Sequence, residues 1–269
     1  MTPELSRNFE IIDSLPRLSI DQELETIKIC GKGEIFSLGE NFSTRFHEPL
    51  GIPSVIEIGG LPDLRKSTLT EKYTEELNKV GIASHMLAEQ IPGFTMNAAY
   101  HYNMTMYHLT SHDLIKTLFT HTDGPIEFVD RGLYGQLAFL DYQFNSGMVE
   151  EYVYEISKRY IVNHIGGFVD GLLICTASPE NCFNPNSNWL TIEKLQMLKE
   201  AYSDLPHNIA EIIGEFLESR KLQTDFPPFL IAEINADIGW EEYEKSFKRT
   251  LNSILHIYTF GRNYEKNSA

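Results

Sequence analysis

The stretch that decides the fold is Ile56-Glu57-Ile58-Gly59-Gly60-Leu61-Pro62-Asp63-Leu64-Arg65-Lys66-Ser67-Thr68. A short β-branched run passes into a turn with glycine and proline, and Lys-Ser-Thr then opens an amphipathic segment. This order is typical of a phosphate-binding loop, in which backbone N–H groups and a lysine surround phosphates and a hydroxyl reaches Mg²⁺. The G-x-x-x-x-G-K-[ST] pattern is met at Gly60, Lys66 and Ser67, but Arg65 stands at the second glycine position.

Strands and helices alternate from residue 53 onward. Strands are predicted at Val55–Ile58, Ile82–Leu87, Ile126–Val129, Gly171–Cys175 and Phe229–Ile234. Helices are predicted at Ser67–Val80, within residues 96–120, from Gly132 to Tyr160, and at Leu190–Tyr202, Ile209–Leu222 and Glu241–Ile257. Such alternation implies parallel pairing with right-handed crossovers, so we predict a three-layer α/β fold with a five-stranded parallel sheet.

The main domain is expected to span residues 53–262. Residues 1–52 show no clear periodicity and are expected to form an N-terminal extension, and residues 263–269 a flexible tail. Within the extension, Thr26–Cys30 and Glu34–Leu38 flank Gly31-Lys32-Gly33, a pattern that suggests a small β-hairpin.

Composition limits the partners. The chain has 269 residues and a formal net charge of −16, which argues against a nucleic-acid polymer as partner but allows a small phosphorylated ligand in one local pocket. No apolar run approaches the length of a membrane span, and no secretory signal is visible. The three cysteines lack C-x-x-C spacing, so we expect reduced thiols, no zinc site and a cytoplasmic protein.

Three predicted strands end in polar residues that fit one site. In an open α/β sheet, ligands bind beyond the carboxyl ends of the strands. There Lys66 and Arg131 could supply positive charge, Ser67 and Asp130 could hold a metal ion, and Glu89 could orient or deprotonate an acceptor hydroxyl. Two structural alternatives stay open, because Glu89 can be a solvated turn carboxylate and Asp130-Arg131 a structural ion pair.

Another polar group lies on the predicted helix within residues 96–120. His101, His108 and His112 share one face of it. That face fits the wall of an acceptor pocket or an aromatic-rich core better than a metal site, because no cysteine or H-E-x-x-H motif supports a metal.

The motifs taken together resemble the thymidylate kinase and deoxynucleoside kinase group of P-loop kinases over roughly residues 53–260. The resemblance rests on the order of the phosphate loop, Glu89, Asp130-Arg131 and a fourth strand ending near Ser178-Pro179-Glu180. It implies ATP as phosphoryl donor, with Mg²⁺ as cofactor and a nucleoside or nucleotide acceptor. Dimers are also frequent in the group, formed through helices beside the third strand.

Carried over by position, the resemblance gives each site residue a role. It implies that Gly60, Arg65, Lys66, Ser67 and Thr68 form the donor phosphate site and that Ser67 and Asp130 hold Mg²⁺. It also implies that Arg131 contacts the transferred or acceptor phosphate and that Glu89 lies beside the acceptor.

The sequence differs from the pattern of this kinase group in two places, and these differences leave more than one function open. Arg65 replaces a glycine that often has positive φ, and residues 181–193 contain no Lys or Arg where the group often has an arginine-rich lid. The first hypothesis is phosphoryl transfer to a small acceptor, and the second is a catalytically impaired kinase-like protein that binds nucleotide or partner proteins. A third is an interaction protein whose residues 1–50 dock onto another surface.

Overall fold

A single mixed sheet of seven strands forms the centre of the computed structural model. The structure describes residues 3–31, 34–38, 52–87, 125–165, 169–185, 191–219 and 229–260. Its strands are β1 (Ile27–Gly31), β2 (Glu34–Ser37), β3 (Val55–Gly60), β4 (Ser84–Leu87), β5 (Ile126–Asp130), β6 (Gly171–Thr176) and β7 (Phe229–Asn235). Its helices are α1 (Pro3–Ser14), α2 (Ile20–Thr26), α3 (Lys66–Val80), α4 (Leu133–Asn145), α5 (Glu151–Ile165), α6 (Pro179–Cys182), α7 (Ile192–Ser219) and α8 (Trp240–Phe260), with a 3₁₀ turn at Ala236–Ile238.

The sheet has the strand order β2-β1-β7-β6-β3-β5-β4. Strands β4, β5, β3, β6 and β7 pair in parallel, and these are the five strands that the sequence predicts. The predicted total of five is wrong, because β1 and β2 pair as an antiparallel hairpin and β1 also pairs antiparallel with β7. The hairpin therefore extends the main sheet by two strands.

Side chains alternate between the two faces along each strand, so these buried strands present apolar residues on both faces. Helices cover both faces of the sheet. On one face, Tyr73 of α3 packs edge-on against Phe128 of β5, with ring centroids 5.4 Å apart. On the other face, Tyr134 of α4 packs against Phe229 of β7, at 5.0 Å. The layers are therefore helix, sheet and helix, and one contiguous apolar core runs through them.

Several helices differ from the sequence prediction. The predicted break between Leu190–Tyr202 and Ile209–Leu222 is wrong, since α7 continues through Pro206. The predicted helix from Gly132 to Tyr160 is divided into α4 and α5, with Gly147 at φ 72° in the connection. Helices α1, α2 and the one-turn α6 were missed, although Ser19 and Gln22 form a capping box at the start of α2.

The described residues also bear on two expectations about the environment. None of the described helices is long and apolar enough to cross a membrane. All three cysteines of the chain lie in the described part, and each is a buried free thiol. The predictions for Glu89 and for the three histidines His101, His108 and His112 fall outside the described residues.

Candidate functional site

The carboxyl ends of the parallel strands meet at one edge of the sheet, with β3 in the middle. Its neighbours are β5 on one side and β6 on the other. After β3 the chain first forms the outer strand β4, then returns to form β5 next to β3, and then crosses to form β6 on the other side. Strand order therefore reverses at β3, which is where open α/β sheets form their ligand crevice. The segment after β3, residues 61–65, leads directly into α3 at this edge.

The last residue of β3, before the loop, is Gly60, and no residue with a side chain fits at this position. Its φ is 120°, and a Cβ built on it would lie 2.0 Å from the carbonyl oxygen of Cys175 on β6. The next residue, Leu61, donates its N–H to the same oxygen at 3.0 Å. The loop is thus held tightly against β6, and only glycine has room at its first position.

Backbone strain collects at this edge of the sheet. In the part of the chain that the structure describes, three non-glycine residues have positive φ: Asp63 at 59°, Arg65 at 51° and Arg131 at 53°. Two lie in the loop after β3, and the third follows the end of β5. Such conformations cost of order 1–3 kcal/mol each and are concentrated at functional sites in proteins, so their clustering marks this edge as the candidate site.

The N-terminus of α3 faces the loop without a cap of its own. Arg65 is the N-cap residue and makes no side-chain capping hydrogen bond, and the first turn carries no acidic residue. Leu69 donates its N–H to the Arg65 carbonyl at 3.0 Å, so the helical hydrogen-bond series begins there and the N–H groups of Ser67 and Thr68 precede it. The N–H groups at the start of a helix and the positive end of the helix dipole suit an anion such as phosphate.

Lys66 is buried beneath this loop. Its exposed fraction is 6%, and its ammonium donates a hydrogen bond to the Leu61 carbonyl, with the Nζ–O distance 2.5 Å. The Lys66 ammonium therefore lies inside the loop, beside the carbonyl group of a residue five positions earlier in the chain. A phosphate held by the loop amides would offer the same ammonium a stronger, charged partner.

Ser67 and Asp130 are brought into direct contact. The Ser67 hydroxyl donates a hydrogen bond to Oδ2 of Asp130, which lies at the last position of β5 and is buried. Both groups offer the hard oxygen ligands that Mg²⁺ prefers, and Mg²⁺ is usually held by one or two protein oxygens together with water and phosphate. The described residues contain no cluster of three or more His, Cys, Asp or Glu, so the pair fits such an ion and not a closed metal cage.

The side chain of Arg65 contacts the first residue of α8. Its guanidinium lies over the ring of Trp240 at the start of α8, 4.6 Å from the ring centroid. Beside this contact is a cavity of about 250 Å³, lined by Asp63, Leu64, Arg65, Ala177, Asn181, Ala236, Trp240 and Tyr243.

Arg131 is held close to the first turn of α4. Its N–H donates to the Ile58 carbonyl at 2.9 Å, and its guanidinium lies over the Phe139 ring at 4.6 Å from the centroid. The backbone of Arg131 therefore belongs to the candidate site, while its side chain packs on α4. The structure brings Lys66, Ser67 and Asp130 together with the loop, and Glu89 lies outside the described residues.

Glu57 is a buried carboxyl group that the sequence analysis missed. It accepts hydrogen bonds from the N–H groups of Tyr134 at 3.1 Å and Gly135 at 2.6 Å, in the first turn of α4. The N-cap of this helix is Gly132, where a Cβ would lie 2.5 Å from Glu57 Oε2. Glu57 on β3 thus caps the helix that follows Asp130 and Arg131, and Gly132 leaves room for it.

Burial sets the protonation of this carboxyl. It raises the pKa of Glu57 to about 7, against the hydrogen bonds from the N–H groups of Gly135, Tyr134 and Gly132, and the negative charge of Asp130 adds to the rise. The sequence signal was an acidic residue between two isoleucines in a strand whose residues are all buried. A charged residue at such a position has to be paired or hydrogen-bonded.

Asp237 links the loops that follow β6 and β7. It accepts the N–H of Ser178 at 2.8 Å and a hydrogen bond from the Asn181 side chain at 2.7 Å. Burial acts to raise the pKa of Asp237, but these hydrogen bonds outweigh it and lower the pKa. Ser178 belongs to the predicted end of the fourth parallel strand, and its partner Asp237 was not predicted, although Asn235 and Asp237 after a strand indicate a structured turn.

Comparisons with known proteins were made on the whole chain. No protein-family model and no curated protein matches it. Among solved structures, it is similar to deoxyadenosine kinase from M. mycoides with bound dCTP, at 15% identity and a TM-score of 0.46, over 74% of this chain and 99% of that one. The same enzyme with bound dATP gives 13% identity and a TM-score of 0.48, and with the products dCMP and a flexible dCDP 14% and 0.48, each over the same shares of the two chains. Likeness at this level identifies neither a family nor an activity for this chain, so its interpretation rests on the geometry of the site.

Proposed function

We propose that the chain is an ATP- and Mg²⁺-dependent phosphotransferase that acts on a nucleoside, a nucleoside monophosphate or a similar small acceptor. One observation carries the proposal: Ser67 and Asp130 are in contact directly beside the uncapped N-terminus of α3, above the buried Lys66. Oxygen ligands for a metal, backbone donors for phosphate and a cation for developing charge thus lie at one strand edge.

Phosphoryl transfer needs no covalent bond between the protein and the substrates. An acceptor oxygen attacks the terminal phosphorus of the donor, and the bond from that phosphorus to the bridging oxygen breaks. In this proposal the N–H groups of Lys66, Ser67 and Thr68 hold donor phosphate oxygens, and Lys66 leaves the Leu61 carbonyl to contact them. Ser67 and Asp130 would hold Mg²⁺, which when bound neutralises charge on the phosphates.

The remainder of the donor has a place beside the loop. The cavity of about 250 Å³ opens next to Arg65 and contains the ring of Trp240, whose exposed fraction is 42%. A flat aromatic ring at the rim of a phosphate site suits a nucleotide base, because aromatic rings stack on each other. Glu89 keeps its proposed role toward the acceptor, and Arg131 would have to leave the Phe139 ring to contact the transferred or acceptor phosphate.

The test is calorimetric titration of the protein with ATP, with and without Mg²⁺. Lys66→Ala removes a cation from the phosphate site, so we expect ATP affinity to fall at least tenfold and any phosphotransfer rate to fall by a factor that corresponds to several kcal/mol. Asp130→Asn should remove most of the gain that Mg²⁺ gives. Lys79→Ala, at the exposed far end of α3, is the control and should behave like wild type.

A second candidate is a protein that binds nucleotide without useful turnover. The observation that favours it is the Arg65–Trp240 contact, because it fixes a strained cationic residue at the loop and directs its charge to an aromatic ring. This candidate predicts Lys66-dependent ATP binding with no phosphotransfer to nucleosides or monophosphates. Binding that is absent from the wild type, or unchanged in Lys66→Ala, would contradict both candidates.

A further inference from the structure

A groove lies between α3 and α8, away from the candidate phosphate site. Its volume is about 510 Å³, which is within the usual range for small-molecule sites. The last residue of α3, Val80, is part of its lining, and a helix of this length places Val80 about 20 Å from Lys66. The groove is therefore a second candidate site, separate from the phosphate loop.

The floor of the groove is apolar, and its polar groups are bound to each other. Tyr73 and Leu77 of α3 form it together with Leu15 and Pro16, which follow α1. The Tyr73 hydroxyl donates a hydrogen bond to Oδ1 of Asn252 at 2.6 Å, and the Asn252 amide donates to the Pro16 carbonyl at 2.5 Å. The surface that remains for a ligand is almost wholly apolar. It suits an apolar group, because a polar group placed there would lose its hydrogen bonds to water.

The rim of the groove on α8 carries three cations, Lys245, Lys248 and Arg249. Lys248 pairs with Glu76 of α3 at 2.7 Å. Lys245 pairs with Glu241 at 2.9 Å, one turn earlier on the same helix, and exposed pairs of this kind hold a side chain only weakly. Arg249 is exposed and forms no ion pair with the residues that the structure describes. The rim therefore has positive charge that an anionic ligand can use.

We propose that the groove between α3 and α8 binds a long-chain carboxylate as a single molecule, with its apolar chain against Leu15 and Val80 and its carboxylate beside Arg249. The apolar chain leaves water on binding, and the guanidinium fork of Arg249 offers a carboxylate two parallel hydrogen bonds. The sequence has 22 lysines and arginines and a net charge of −16, so three cations around one apolar groove set it apart on an acidic protein. This proposal does not rest on phosphotransfer at the other site.

Charge and hydrogen bonding favour a single small molecule over larger partners. A protein with a net charge of −16 is repelled by an anionic membrane surface, which argues against a lipid within a bilayer. An extended peptide brings N–H and C=O groups that an apolar floor leaves unpaired. A carboxylate on an apolar chain has its only polar group at one end, where the rim of the groove is charged.

The first experiment is calorimetric titration of the full-length protein with dodecanoate, below the concentration at which it forms micelles. We expect saturable binding of one molecule per chain. Octanoate has a shorter chain and should bind at least tenfold more weakly, because it buries less apolar surface. Dodecyltrimethylammonium has the same chain with the opposite charge and should also bind at least tenfold more weakly, because it meets the cations of the rim. Absence of saturable dodecanoate binding overturns the proposal, as does equal affinity for the anion and the cation.

Substitutions then test the location of the site. Val80→Glu places a carboxylate in the lining and Arg249→Glu reverses a charge of the rim, so each should lower dodecanoate affinity at least tenfold. The matched controls lie on α5, outside the groove: Ile156→Glu, where Ile156 is 50% exposed against 46% for Val80, and Arg159→Glu, which is also exposed. Both controls should bind dodecanoate like the wild type.

Thermal unfolding of the four variants shows whether each is folded. If Val80→Glu lowers the melting temperature, Arg249→Glu decides the test, because Arg249 is an exposed side chain without an ion pair among the described residues. Dodecanoate binding that Arg249→Glu leaves unchanged overturns this site. Equal losses in the groove variants and in their controls on α5 overturn it as well, since they would show an effect of net charge alone.

Discussion

Arg65 has a left-handed backbone conformation, which is energetically unfavourable for a residue with a side chain. At φ 51° and ψ 28° it lies in the left-handed region, which costs an L-residue with a Cβ on the order of 1 kcal/mol. Its contact with Trp240 returns about 0.5–1 kcal/mol, the range for an exposed cation–π pair. The two terms nearly cancel, so the residue is tolerated in the free protein although the sequence pattern calls for glycine.

This balance predicts the outcome of Arg65→Gly. The free energy of unfolding should change by less than about 1 kcal/mol, because relief of strain and loss of the Trp240 contact oppose each other. Affinity for Mg²⁺-ATP should rise, up to about tenfold, since glycine lets the loop amides turn toward phosphate. Chemical denaturation and calorimetry measure the two quantities.

Asp63→Gly is the matched control for this substitution. Asp63 is also at positive φ, 59°, in the same loop, but it makes no contact with Trp240 that the structure describes. It should gain stability from relief of strain without a comparable gain in nucleotide affinity. Equal affinities in wild type and Arg65→Gly would show that this residue does not block the loop.

Glu57 gives the protein a specific dependence on pH. Its pKa is about 7 in the folded state and about 4.5 in the unfolded chain, so the folded state binds the proton more tightly. Between these values the unfolded chain holds fewer protons than the folded one, and the free energy of unfolding therefore falls as pH rises from about 5 to 7. The stabilisation from this group is fully present below the unfolded pKa and is lost as pH passes through the folded pKa.

Glu57→Gln should remove this dependence. The amide keeps an oxygen for the N–H groups of Tyr134 and Gly135 but does not titrate, so the stability of the variant should vary less between pH 5 and 7, by about 1–3 kcal/mol relative to wild type. Urea denaturation at several pH values measures the difference. Parallel pH profiles for wild type and Glu57→Gln would mean that another group controls stability in this window.

Among the elements, the turn after β3 has the tightest steric constraint. Gly60→Ala places a Cβ 2.0 Å from the Cys175 carbonyl oxygen at φ 120°, so we expect a loss of several kcal/mol in the free energy of unfolding and loss of nucleotide binding. Gly147 has φ 72° with nothing within 4 Å of a built Cβ. Gly147→Ala should therefore cost only about 1 kcal/mol by the same denaturation assay, and equal losses in the two variants would contradict the steric argument.

The predictability of each element depends on how local its determinants are. The five parallel strands and the start of α3 were predictable, because buried β-branched runs and the Lys66-Ser67 turn are local patterns. Contact between Ser67 and Asp130 followed from strand order at one edge. Helix α2 has a local signal in its capping box, which could have been used. The long helix α7 contradicts a local signal, since packing carries it through Pro206.

Other features could not be read from local sequence. The cap that Glu57 provides joins β3 to a helix 77 and 78 positions later, so neither segment alone indicates it. The partner of the predicted hairpin is likewise distant, because β1 pairs with β7 near the other end of the chain. These contacts are decided by tertiary packing of the whole sheet.

At the scale of the whole molecule, the hairpin belongs to the core. Ile27 and Ile29 of β1 are fully buried, and β1 covers the edge of β7. This placement contradicts the hypothesis that residues 1–50 as a unit dock onto another surface, since removing them would expose core and an unpaired strand edge. Loss of association after such a deletion would therefore report unfolding.

Neighbouring substitutions on β1 test this role. Ile29→Asp puts a charge into the core and should lower the free energy of unfolding by more than about 3 kcal/mol. Lys28→Asp changes the adjacent side chain, which points to solvent on the opposite face, and should cost less than about 1 kcal/mol. Thermal or urea unfolding of both variants checks the pair, and similar losses would place β1 outside the core.

The pairing of β1 with β7 also determines when the molecule can finish folding. Two further hydrogen bonds join the N-terminal segment to α8. Leu18 donates its N–H to Ser253 at a separation of 235 positions, and Asn252 donates to the Pro16 carbonyl at a separation of 236 positions. During synthesis the first strands leave the ribosome long before their neighbours exist. Contacts of such high sequence separation slow folding and prolong the exposure of unpaired edges, so the sheet cannot close before β7 and α8 have been synthesised.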